Sequence, residues 1–168
     1  MTTDRTVATM RTRTVAGAGI LTTALLVLLF GNQAVTEWVD RHTNSNSAWG
    51  WFLDRLTWPA WALGPRNNST GAMRDLLAND LRALFLVLFV ALILGLAAKT
   101  ISGGAAGFII GWASLIFAAA LAAFVTAFIV SNPSLLGALG AAEAGSAYGL
   151  FVGWIVGIAT AAAKKVTS

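Results

Sequence analysis

Gly145-Ser146-Ala147-Tyr148-Gly149-Leu150-Phe151-Val152-Gly153-Trp154-Ile155-Val156-Gly157 places a glycine at every fourth position of a continuous apolar run. As a helix, this stretch presents a groove without side chains, which another backbone can approach closely. In a bilayer, lipid tails solvate leucine well, so helices associate largely through such close packing. Four-residue steps advance about 400°, so the glycines drift slowly around the helix, which suits a right-handed crossing near −40°. A second, shorter series, Gly103-x-x-x-Gly107-x-x-x-Gly111, opens the preceding apolar run. The spacing predicts a packing seam between these last two helices, a glycine zipper, with another protomer or another protein as the competing partner.

The rest of the composition agrees with a bilayer setting. Of 168 residues, 57% are hydrophobic and 11% charged, and the mean hydropathy is +0.75. Soluble domains carry roughly 25% charged residues. Apolar runs of about 20 residues cross a hydrocarbon core about 30 Å thick, and the chain holds several. The reading is an all-α integral membrane protein with four transmembrane helices. A β-barrel would show alternating segments of about 10 residues instead.

The net charge of +4 is not gathered into a basic patch with interleaved aromatics, so nucleic acid is not an expected partner. The absence of cysteine excludes disulfides, thiol catalysis and cysteine-ligated metals. The single histidine, His42, lies outside every apolar run. Neither a metal site nor a cofactor is expected.

In order, a polar tail (1–13) bearing Arg5, Arg11 and Arg13 leads into a first span at 14–35. That run exceeds the 7–15 residues of a signal-peptide core, and Asn32-Gln33-Ala34 is a poor cleavage site, so a retained helix is expected. A polar region at 36–80 follows, with five of the seven tryptophans: Trp38, Trp49, Trp51, Trp58 and Trp61. Indole rings favour the headgroup level, so these five are candidate interface anchors. Ser47–Trp58 reads as a short amphipathic helix on the membrane face, ended by Trp58-Pro59, with a loop merely anchored by its tryptophans as the competing reading. Gly64-Pro65-Arg66-Asn67-Asn68-Ser69 reads as an exposed turn. A helix restarts near Thr70 or Gly71 and enters a second span at 81–98. The third span covers 105–130. Asn132 and Pro133 suit the cap and first turn of a fourth span at 135–163, ahead of a short tail, 164–168. The 31 residues from Pro133 to Ala163 exceed what the core requires, and a break near Gly137–Gly140, or a stretch outside the bilayer, is the expected remedy.

The flanks set an orientation. With four crossings, the tails and Lys99 share one side, with six Lys/Arg against Asp4; the other side balances five arginines with five acids. The basic side is expected to be cytoplasmic and the Trp-rich loop extracytoplasmic, in a bacterial plasma membrane.

Glu143 is the one ionisable residue placed inside a membrane run, and by that token a candidate membrane acid site. The competing reading sets it at the interface, about 20 residues before Ala163. It faces away from Gly145, so a buried Glu143 would need a partner from another segment, Arg82 or Asn32. No phosphate loop, catalytic triad or paired-carboxylate spacing is present. The expected function is therefore non-enzymatic: an accessory or scaffold subunit that packs through its glycine-lined helices. Its outer loop would dock other membrane subunits or a second copy. The alternative is a small oligomeric proton- or cation-coupled transporter or channel using Glu143.

Overall fold

The computed structural model describes residues 3–44, 46–64, 70–130 and 133–166, with side chains described between 15 and 163. The described residues form six helices: α1 (Thr3–Phe30), α2 (Gln33–His42), α3 (Ala48–Leu56), α4 (Ala72–Ala97), α5 (Gly104–Thr126) and α6 (Leu135–Val166). The protein is an all-α membrane protein. Three helices are long and apolar enough to cross a bilayer, namely α4, α5 and α6 up to Ala163. The first helix offers a shorter apolar stretch, Val15–Phe30.

Helices α1, α4, α5 and α6 form a bundle in which α5 and α6 share the most extensive contact. Along α4, Ala83, Leu86, Val90 and Leu94 recur at helical spacing and are buried, while Leu84, Leu88, Leu92 and Leu96 are exposed on the other side. A water-soluble helix would carry charges on that second face; here leucines occupy it. On α5 the buried set is wider and smaller, with Gly107, Gly111, Ser114, Leu115, Ala118, Ala119, Ala122, Ala123 and Thr126. Alanine and glycine on two sides let α5 pack against α4 and α6 at once.

The seam between α5 and α6 can be followed residue by residue. A Cβ added at Gly145 would strike the Ala119 carbonyl, and one at Gly149 the Ile116 backbone. At Gly153 it would lie 2.6 Å from Trp112 Cδ1, and at Gly157 2.7 Å from the Phe108 carbonyl. Gly111 faces Gly157 Cα and the Thr160 hydroxyl, and Gly107 faces Thr160 and Ala161. The two glycine series therefore meet only at Gly111 and Gly157. Elsewhere the α6 groove receives ordinary residues of α5. Gly103 caps the start of α5 and has open space around it, so it takes no part.

Several boundaries differ from the sequence-based expectation. The first helix begins at Thr3, within the expected tail, and ends at Phe30 instead of Val35. Asn32 causes this end: its amide donates to the Leu28 and Leu29 carbonyls, and its Oδ1 accepts from Val35 N at 3.0 Å. One side chain thus closes α1 and opens α2. The fourth long helix runs unbroken through Gly137 and Gly140, because every backbone bond of a glycine-containing helix can still form. At 32 residues it is about 48 Å long, and most of its first nine residues are exposed. Its cap is Ser134, whose hydroxyl accepts from Gly137 N at 3.0 Å; Asn132 lies outside the described residues. The second long helix starts at Ala72, after Gly71 in a left-handed conformation (φ 101°). The expected turn at 64–69 is outside the described residues beyond Gly64.

Candidate functional site

Polar and aromatic chemistry gathers at one end of the bundle, where the described residues between 31 and 64 fold back over it. The fold-back starts from local signals. Ser47 opens α3 by accepting from Gly50 N at 3.0 Å while donating to the Asn44 carbonyl. Leu56 ends α3, and Trp58-Pro59 continues in non-helical backbone, as the steric demand of a following proline requires. Trp61 then fixes the chain to the end of α1. Its indole donates to the Val27 carbonyl at 3.0 Å, and its backbone N–H donates to the Gly31 carbonyl at 2.8 Å. Gly31 permits this approach, since a Cβ there would strike the Pro59 carbonyl. Asp80 of α4 accepts from Ala62 N at 3.0 Å and completes the attachment.

Beneath this cap, an aromatic and cationic cluster spans four segments. Trp58 stacks on Tyr148 of α6, with ring centroids 5.1 Å apart. The Arg82 guanidinium of α4 lies 5.4 Å from the Trp58 ring centre, and its Nε donates to Thr126 of α5 at a long 3.4 Å. Next to this, Trp51 meets Phe151 edge-on at 4.7 Å, and the Arg55 guanidinium lies 5.5 Å from the Trp51 ring centre. A cation over an indole face gains electrostatically from the ring quadrupole. Two buried donors in the cluster, Arg55 Nε and the Tyr148 hydroxyl, have no hydrogen-bond partner.

The candidates read from sequence are distributed unevenly around this cluster. Trp51, Trp58 and Trp61 are partly buried members of the cap. Trp38 and Trp49 point outward, 52% and 67% exposed; Trp38 stacks on His42 and Trp49 on Phe52. Glu143 is exposed on α6, and neither expected partner reaches it. Arg82 is engaged with Thr126 and Trp58, and Asn32 with the ends of α1 and α2. The seam glycines lie away from the cap except Gly145 and Gly149, which flank Tyr148 in sequence.

Four buried hydroxyls of the bundle helices, Thr126 of the cluster among them, bond to backbone carbonyls. Thr23 donates to the Gly19 carbonyl at 2.9 Å, Ser114 to Gly111 at 2.7 Å and Thr126 to Ala122 at 2.8 Å. Thr160 bonds across the seam to the Gly107 carbonyl at 2.6 Å. The first three bonds close within their own helix, and that of Thr160 joins α6 to α5.

Sequence reasoning did not single out Tyr148, Arg55 or Thr126, and it considered Arg82 only as a partner for Glu143. One signal was available: Tyr148 is the chain's single tyrosine, and it stands between two glycines of the stripe. Comparison with protein-family models, curated proteins and solved structures finds no match to this chain.

Proposed function

We propose that this chain is a non-catalytic accessory or scaffold subunit of a bacterial plasma membrane, crossing it four times with both termini in the cytoplasm. In this reading α1 is the fourth crossing, supported by its packing along α4 and α6 as a full member of the bundle. The basic flanks support the orientation, with the capped end outside.

The observation that carries the proposal is the state of four buried hydroxyls along the bundle helices. Thr23, Ser114, Thr126 and Thr160 are buried, and each hydroxyl is taken by a backbone carbonyl. The one membrane acid considered for transport, Glu143, is on the outside. The glycine-zipper stripe of α6 is filled by α5 of the same chain, so association with other subunits falls to a different surface. The cap offers exposed apolar side chains for this, Trp38, Trp49 and Leu63. Aromatic residues of this kind are enriched at protein interfaces.

Extraction in a mild detergent followed by native electrophoresis tests this. The expected result is a discrete complex containing a second membrane polypeptide or a second copy. Migration as a lone monomer under every mild condition would overturn it.

A further inference from the structure

The cluster under the cap contains more hydrogen-bond donors than the chain satisfies. An arginine carries five N–H donors and no acceptor. Arg82 uses one, its Nε, in a long bond to Thr126. The buried Nε of Arg55 has no hydrogen-bond partner. Neither pairs with a carboxylate: the one ion pair among the described residues joins Arg41 to Glu37, elsewhere in the loop. The nearby acids are otherwise placed, since Asp80 accepts from Ala62 N and Asp54 is exposed.

A second, independent observation points the same way. Tyr148 is fully buried, and its hydroxyl has no partner, whereas buried tyrosine hydroxyls normally find one. Each of these three residues lies against a tryptophan that packs on α6. Arg82 and Tyr148 lie against Trp58; Arg55 lies against Trp51, which packs on Phe151, three residues from Tyr148. What the cluster lacks is an acceptor with negative charge.

We infer that Arg82, Arg55 and Tyr148, backed by Trp58 and Trp51, form a binding site for a phosphate group. Guanidinium forks match phosphate oxygens in geometry and charge, and such charge-assisted bonds are the strong ones. The position favours the phosphodiester of an anionic lipid headgroup. Arg82 stands ten residues inside α4, itself a candidate span, on the side where that helix meets the cap. Indoles concentrate at the same headgroup level. Trp58 covers Tyr148, so engagement of the hydroxyl requires the Trp58 segment to shift. This site goes beyond the accessory role and does not depend on it.

The test uses the full chain in a neutral detergent, followed by native mass spectrometry. It is titrated with dioctanoyl phosphatidylglycerol, dioctanoylglycerol, which lacks the phosphate, or inorganic phosphate. Saturable binding of one phosphatidylglycerol is expected, weakened about tenfold or more in Arg82→Gln and in Arg55→Gln. Arg74→Gln removes an exposed arginine of the same helix and should bind like the natural chain. Displacement of the lipid by inorganic phosphate assigns the site to phosphate as such; failure of displacement assigns it to the lipid headgroup. Equal binding of dioctanoylglycerol, or unchanged binding in both Arg82→Gln and Arg55→Gln, overturns the proposal. Equal weakening by Arg74→Gln also overturns it, because the attraction would then be diffuse.

Discussion

The hydroxyl of Thr160 on α6 donates to the Gly107 carbonyl on α5 at 2.6 Å, crossing the seam at the end of the bundle opposite the cap. The bond exists because Gly107 and Gly111 have no side chains to hold α6 away; a Cβ on Gly111 would strike the Thr160 hydroxyl. Interhelical hydroxyl bonds in membranes contribute about 0.6 kcal/mol on average and about 1.7 at most. Thr160→Val keeps the shape and removes the donor. It should lower stability by about 1 kcal/mol, read as a small drop in the thermal midpoint in detergent.

Glycine substitutions should divide sharply by position. A leucine at Gly149 must displace the Ile116 backbone, and overpacking of a dense contact costs about 1–3 kcal/mol or more. Gly149→Leu should therefore lose most folded, monodisperse protein. Gly95→Leu, where a Cβ meets nothing within 4 Å, should behave like the natural chain. Size-exclusion profiles of the two variants, prepared together, make the comparison.

Tyr148 should respond differently to two truncations. Tyr148→Phe removes a hydroxyl with no partner, so stability should stay level or rise slightly. Tyr148→Ala empties a fully buried site under Trp58 and should cost about 3–5 kcal/mol. Chemical denaturation of both variants checks the contrast.

How much of this was legible in the sequence depends on the kind of contact. The membrane class and the small-residue seam follow from composition and four-residue spacing, which are local properties. The partner of the seam is not local. Gly149 sits on Ile116 rather than on another glycine, because a groove accepts any backbone that fits, and spacing does not say which. The early end of α1 was hidden for a different reason. Asn32 lies in an apolar context, and only three dimensions reveal that its amide serves both α1 and α2. The tryptophans were expected as interface anchors, whereas Trp58 and Trp61 are held by α6 and α1, far away in the chain. Arg82 and Tyr148 are 66 positions apart, and no periodicity connects them.

Attachment of the cap should depend on Trp61. Trp61→Phe keeps the ring bulk and the backbone bond to Gly31 but loses the indole bond to Val27. About 1 kcal/mol of local stability should be lost. Amide exchange should quicken at Trp61 and Ala62, with little change in α5.

Glu143→Gln discriminates between the two functional readings. Glu143 is exposed, and a surface change of this kind alters stability by about 0.5 kcal/mol or less. In proteoliposomes the accessory reading predicts no proton or cation flux that depends on Glu143. Flux abolished by this substitution would move the assignment to transport.

The central claim, that the capped end is the docking surface of an accessory subunit, is most directly tested by crosslinking in living cells. A photoreactive residue replaces Trp49 at 67% exposure, and a control replaces Leu92 on the outer face of α4 at 52% exposure. The account predicts a discrete protein adduct from position 49, a second polypeptide or a second copy, and none from position 92. An adduct from position 92 alone, or unlinked monomer at both positions, would contradict it.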